Sequence, residues 1–211
     1  MKQKNSTTYK IALTGLIAAL SYVVFTFLQI KIMIPGTQDA TSIHLGNAVC
    51  VLGALLLGGP LGGIGGAIGM TIGDLLDPVY IMSSPKTFIL KLCIGLVTGV
   101  VAHKIGRLSF CRDAKTAFKW SLAAAICGLG FNVVFDPLFS YFYKLVILGK
   151  PIAELTLLPN ITTTTINAVT STVVSVAVYN ALRPALKKAG LLPTVGKPAE
   201  TQNNANNKSA A

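Results

Sequence analysis

The side chains of this chain that could do chemistry stand among apolar neighbours. Asp74 and Asp77 close a long uncharged stretch, and Lys86 and Lys91 lie just beyond it. Asn132 and Asp136 interrupt a second stretch four residues apart, and Asn160, Thr163, Thr164, Asn167 and Ser171 recur at three to four residues through a third. That last spacing lines one face of a helix with amides and hydroxyls. A charged or amide group in an apolar segment is costly unless it pairs or lines a cavity, so these residues are the first functional candidates. Together they offer directional hydrogen bonds and both signs of charge, and Tyr80, Phe88 or Phe135 offers a ring for stacking.

Each candidate also has a plainer reading, and both stay open on sequence alone. The 160–167 face fits hydrogen bonding between helices as well as a pocket lining. Asp136 precedes Pro137 and fits a kink or a helix end. Lys91 is near enough to an interface to reach out to it. Asp74 and Asp77, followed by Pro78 and Tyr80, fit either a helix end at a wet boundary or a pocket rim. His44 as a metal ligand is disfavoured, because His103, the only other histidine, belongs at the opposite face. No metal site and no cofactor is expected.

Catalytic signatures are missing. The sequence holds no phosphate-binding Gly-x-x-x-x-Gly-Lys-Ser/Thr loop, no His-Glu-x-x-His and no Gly-x-Ser-x-Gly. Asp74-Leu75-Leu76-Asp77 echoes the aspartate-rich motif of intramembrane prenyltransferases, but the third aspartate would fall at Ile81 and no second such motif follows. Without an ATP site the chain cannot power uphill transport by nucleotide hydrolysis alone. No catalytic residue is expected.

The elements that must position these groups are membrane helices. With 52% hydrophobic and 12% charged residues among 211, and a mean hydropathy of +0.65, the chain is far more apolar than a soluble domain of its length. The net charge of +11 does not point to nucleic acid, since the basic residues sit in short segments between apolar runs. Cys50, Cys93, Cys111 and Cys127 form no Cys-x-x-Cys pair and read as small unpaired thiols. The uncharged run 45–73 would make a helix of about 43 Å, too long for a hydrocarbon core of ~30 Å, and Gly58-Gly59-Pro60 divides it. An in-membrane hairpin results. Its second arm places Gly65, Gly69 and Gly73 on one face, which calls for a close helix partner.

Six spans are expected, roughly 11–30, 42–58, 60–77, 87–104, 117–143 and 157–182, in an all-α integral membrane fold with both termini cytoplasmic. The first is read as an uncleaved span. Segment 1–10 is cytoplasmic, 11–186 is one membrane domain, and 187–211 is a polar cytoplasmic tail expected to be disordered. Charge selects six spans over five. In the six-span arrangement the inner face collects Lys2, Lys4, Lys10, Lys104, Arg107, Arg112, Lys115, Lys119, Arg183, Lys187, Lys188, Lys197 and Lys208, and the outer side keeps Lys31, Lys86, Lys91, Lys144 and Lys150. The candidate residues, His44 and Asn47 included, then gather towards the outer half of the membrane.

Several local patterns resemble the substrate-binding subunits, or S components, of energy-coupling factor (ECF) transporters. They are a first span with Ala12, Gly15, Ala18 and Ala19, the His44-Leu45-Gly46-Asn47 entry to the second, the glycine-rich hairpin ending in Asp77, and the Pro85 to Lys91 stretch. The resemblance runs from about Lys10 to Leu186 and is closest to the riboflavin, hydroxymethylpyrimidine and pyridoxine branch. It implies a six-helix subunit binding a vitamin near the outer face, partnered by a membrane coupling subunit and two cytoplasmic ATPases, and toppling in the bilayer to deliver its substrate. The first-span small residues Ala12, Gly15, Ala18 and Ala19 would contact the coupling subunit. The family's alanine pair is only partly kept, since Leu16 follows Ala12 at four residues.

The expected function is therefore binding of a small heteroaromatic vitamin of the pyridoxine or hydroxymethylpyrimidine kind, with riboflavin as the alternative. Its expected contacts are His44, Asp74, Asp77, Tyr80, Lys86, Lys91, Asn132, Asp136, Asn160, Thr163, Thr164 and Asn167. Two rivals come from other classes: a lipid-modifying enzyme using Asp74 and Asp77 with a divalent metal, and an ion-coupled carrier using Asp136. The bacterial plasma membrane is the expected location.

Overall fold

Gly58, at φ +85°, sits where an L side chain is disfavoured and ends one helix as the next begins. Around that break the chain builds six α-helices, seen in a computed structural model that describes residues 7–36, 39–149 and 153–196. Most of the expected N-terminal segment and the 197–211 part of the tail lie outside the described residues. The helices are α1 (Thr7–Phe27), α2 (Gly46–Leu57), α3 (Gly59–Leu75), α4 (Ser84–Gly99), α5 (Ala114–Phe142) and α6 (Leu157–Lys188). π-helical turns extend α4 through Val100–Ile105 and α5 through Tyr143–Ile147. Asp113 starts α5 as its N-cap, its carboxylate accepting from the Thr116 backbone N–H at 2.9 Å.

Four stretches, Thr7–Phe27, Ile81–Ile105, Ala114–Ile147 and Leu157–Lys188, are long and apolar enough to cross a membrane. The hairpin arms are shorter: the 12 residues of α2 and 17 of α3 span ~18 and ~26 Å at ~1.5 Å per residue. α2 is buried on nearly every side, as befits a helix that is apolar all round.

Between α1 and α2 the fold holds an element that apolar run length conceals. Gln29–Met33 (β1) and Ala40–His44 (β2) pair antiparallel, Lys31 opposite Ser42, so the expected spans 11–30 and 42–58 overrun their helices. The cause is local: Ile30 and Ile32 alternate with polar Gln29 and Lys31, a period of two, and Pro35-Gly36 supplies a turn with Gly36 at φ +77°. Among the described residues every other regular element is helical, so the fold is all-α apart from this hairpin.

Missing side chains set the packing of α3. A Cβ on Gly69 would fall 2.1 Å from the Ala18 carbonyl oxygen, and one on Gly65 2.9 Å from that of Thr14, so Gly65 and Gly69 lie directly on the α1 backbone, while Gly73 faces the Phe25 and Thr26 side chains of α1. Gly62 meets α2 at Gly53 and Ala54, and Gly63 meets α4 at Gly95. α3 is thus clasped on three sides.

The helices alternate in direction, which gives the bundle two ends. At one end the α2–α3 turn lies against Val195, His103 reaches the Ala54 carbonyl oxygen at 3.1 Å, and Tyr9 donates to the Leu191 carbonyl oxygen at 2.9 Å. Lys104, Arg107, Arg112 and Lys187 belong to the connections and helix ends gathered there. The opposite end carries the β-hairpin, the 76–83 connection and the start of α6. The four cysteines are free, Cys50 and Cys93 on interior or partly buried sites and Cys127 exposed.

Candidate functional site

A cavity opens at the hairpin end, with an empty volume of about 730 Å³ including its mouth. Strand β2 covers it, and α3, α4, α5 and α6 each turn polar residues into it. From α6 come Asn160, Thr163, Thr164 and Asn167, the face set by three- and four-residue spacing, and α4 gives Lys86, Thr87, Leu90 and Lys91. Asp74 comes from the last turn of α3 and Asp136 from α5, which passes through Pro137 without ending. Tyr80 comes from the connection before α4, and His44 from the end of β2.

Hydrogen bonds fix this lining. Asn167 ties the roof to α6: its Nδ2 donates to the Ser42 carbonyl oxygen at 2.9 Å and its Oδ1 accepts from the His44 backbone N–H at 2.9 Å. The Thr41 and Thr163 hydroxyls meet at 2.6 Å. On the other side Lys86 Nζ donates to Ser140 Oγ at 3.0 Å, which donates to Asp136 Oδ1 at 2.9 Å. Lys144 Nζ pairs with Asp39 Oδ2 at 3.0 Å at the edge of the cavity.

Other groups are left for something else to satisfy. Lys91 is 5% exposed, and it has the carboxylates of Asp136 and Asp74 in its electrostatic surroundings but no ion pair within 4 Å among the described residues. His44 Nδ1 is buried and without a partner among them, while the His44 ring stands edge-on to Phe25 at 4.9 Å. A buried cation and a buried ring nitrogen facing a polar cavity are groups that a hydrogen-bonding ligand would complete.

Two expected contacts stand apart from the cavity wall. Asp77 is held at the rim by an ion pair with Lys31 of β1 and accepts from the Val79 backbone N–H at 3.1 Å, so it braces the loop beside the mouth. Asn132 is buried one helical turn from Asp136, its Oδ1 unpartnered among the described residues, and does not line the cavity. Of the three expected stacking rings, only Tyr80 lines it. Phe135 instead stacks between Phe131 and Phe139 along α5, at 4.9 and 5.4 Å.

Sequence reasoning missed Phe25, Asp39, Thr41, Ser42, Thr87 and Lys144 in the lining. Lys144 had a signal, since Asp136, Ser140 and Lys144 recur at four residues on one face of α5 and its extension. Phe25 and Asp39 had none, because the fold alone brings the end of α1 and the hairpin to the cavity.

The small residues of α1 divide. Ala12, Gly15 and Ala19 are exposed, with nothing within 4 Å of a Cβ placed on Gly15, whereas Ala18 is half-buried with its carbonyl against Gly69.

The family model described as "ECF-type riboflavin transporter, S component" matches residues 5–184. No curated protein and no solved structure matches the chain.

Proposed function

The chain belongs to the ECF-type riboflavin transporter S component family, and on that footing we propose that its hairpin-end cavity binds a small heteroaromatic vitamin of the pyridoxine or hydroxymethylpyrimidine kind. The family is one of transport subunits, not enzymes. The observation that carries the ligand class is the lining itself. Lys86, Lys91, Lys144, Asp39, Asp74 and Asp136 surround a space whose rings are Phe25, Tyr80 and His44. A one-ring vitamin with hydroxyl or amino substituents has the donors and acceptors to use that density of polar groups and needs only a small aromatic surface. Lys91 and Asp136 bind polar edges of the ring, His44 takes a hydroxyl, and Asn167 holds the roof. Asp74, Tyr80, Lys86, Asn160, Thr163 and Thr164 complete the wall. Asp77 acts from the rim and Asn132 from behind Asp136.

Riboflavin remains the alternative, favoured by the description of the matching family. Its larger ring system would need to lie against Phe25, Val79, Tyr80 and Leu90, the large apolar and aromatic side chains of the lining besides His44.

In this proposal all six helices lie in the bacterial plasma membrane as one domain, 11–186, with both termini and the basic end cytoplasmic, by the bias of Lys and Arg towards that side. A membrane coupling subunit docks on the exposed Ala12, Gly15 and Ala19 face of α1, and two ATPases supply the energy. Uptake of labelled pyridoxine by cells expressing this chain with and without a coupling module tests the reading. Binding by the chain alone with uptake only in the presence of the module supports it. Uptake by vesicles holding only this chain, driven by an ion gradient, overturns it.

A further inference from the structure

A second cavity opens at the opposite, basic end between the last turns of α6 and the connection before α5. Arg183 and Lys187, one helical turn apart on α6, both line it beside Ser109 and Thr194, with Ser109 Oγ held 3.2 Å from His103 Nδ1. The segment after α6 walls it in, where the Val195 backbone N–H donates to Ser109 Oγ at 3.1 Å.

Arg183 is 7% exposed. One terminal nitrogen donates to the Cys111 carbonyl oxygen at 2.5 Å, and its Nε, also buried, has no partner among the described residues. Among the described residues no carboxylate lines this cavity. The nearest acidic residue in the 106–113 connection, Asp113, is occupied in capping α5 through Thr116. A buried guanidinium that meets only neutral acceptors among the described residues is an unbalanced charge there, and an anion with several acceptor oxygens restores the balance. The guanidinium fork matches phosphate oxygens, and an ammonium at i+4 adds a second positive contact.

Depth points the same way. Arg183 lies ~39 Å along α6 from Leu157 at ~1.5 Å per residue. α6 is therefore longer than a hydrocarbon core of ~30 Å is thick, and its C-terminal end, with Arg183, Lys187 and Lys188, is the basic one suited to the headgroup layer.

We infer that the cavity formed by Arg183, Lys187, Ser109 and Thr194 is a binding site for a phosphate group, carried by an anionic lipid headgroup or by a free phosphate ester. It is separate from the vitamin cavity and does not depend on which vitamin binds there.

The test uses the full chain in nanodiscs of an uncharged, phosphate-free glycolipid. Phosphatidylglycerol is added in one arm and inorganic phosphate in the other. Lys187→Gln removes a cation at the cavity, and Lys188→Gln removes its exposed neighbour, which does not line it, so the two variants have equal net charge. Retained phosphatidylglycerol is counted by native mass spectrometry, and the melting midpoint is followed with phosphate. Retention that falls about tenfold in Lys187→Gln but not in Lys188→Gln, the loss of roughly one charge-assisted hydrogen bond, assigns the site to a lipid headgroup. A phosphate-dependent rise in midpoint that Lys187→Gln alone abolishes, with lipid retention unaffected, assigns it to a free phosphate ester. Equal behaviour of the two variants in both arms overturns the site and leaves only a diffuse basic rim, as does a wild-type chain that responds to neither compound.

Discussion

Asn167 holds Ser42 from below: its side-chain amide donates to the Ser42 carbonyl oxygen at 2.9 Å, and the same side chain accepts from the His44 N–H two residues on. One α6 residue thereby satisfies two backbone groups of the strand that roofs the cavity. Asn167→Leu leaves both unpaired, at ~1–3 kcal/mol for each buried group. The bundle should stay folded while vitamin affinity falls about ten- to hundredfold. Hydrogen exchange at 40–44 should rise. Unchanged exchange there would mean that the strand is held by its β1 pairing alone.

Lys91→Met separates the needs of the ligand from those of the fold. The methionine is of similar length and removes a buried ammonium that has no ion pair within 4 Å among the described residues. The ligand-free chain should melt at a higher temperature, and vitamin affinity should drop by at least about tenfold, the loss of one charge-assisted contact. A variant that melts lower when empty would show that Lys91 stabilises the fold.

The two aspartates of the 74–77 stretch should behave differently. Asp74 is 3% exposed and lines the cavity, whereas Asp77 is committed to Lys31 at the rim. Asp77→Asn should change vitamin affinity less than about threefold, because a partly exposed ion pair contributes ~1 kcal/mol or less. Asp74→Asn should cost about tenfold or more, the scale of one buried charged hydrogen bond. Equal losses in titration calorimetry would instead make the two carboxylates one functional unit, as the metal-dependent enzyme alternative requires.

Gly69→Ala tests the contact between α3 and α1. Its Cβ would meet the Ala18 carbonyl oxygen at 2.1 Å, a backbone atom that can move only if the helices part. Destabilisation of ~1–3 kcal/mol is expected from such overpacking. Gly130→Ala, where nothing lies within 4 Å, should leave the melting midpoint unchanged or raise it. Similar midpoints for both variants would dissolve the tight α1–α3 packing.

What the sequence made legible followed from periodicity and punctuation. Gly58-Gly59-Pro60 marks the α2–α3 break, and the three- and four-residue spacing from Asn160 to Asn167 marks a face that the fold does turn into a cavity. Gly65, Gly69 and Gly73 announced a close partner, but no local pattern says that the partner is α1. The β-hairpin was hidden because run length counts Ile30 with the helix before it, although the alternation from Gln29 to Met33 was available to be read. Phe135 was attractive as a stacking ring because of its neighbour Asp136. Rings four apart on one helix stack on each other, and Phe131, Phe135 and Phe139 do so.

The central claim is that this chain alone holds a small heteroaromatic vitamin in the cavity beneath β2. Native mass spectrometry of the purified chain, followed by identification of the small molecule released on denaturation, tests it most directly. A pyridine or pyrimidine vitamin, bound without ATP and lost in Lys91→Met, is the predicted result. No bound molecule, together with no stabilisation by pyridoxine, hydroxymethylpyrimidine or riboflavin, would contradict it.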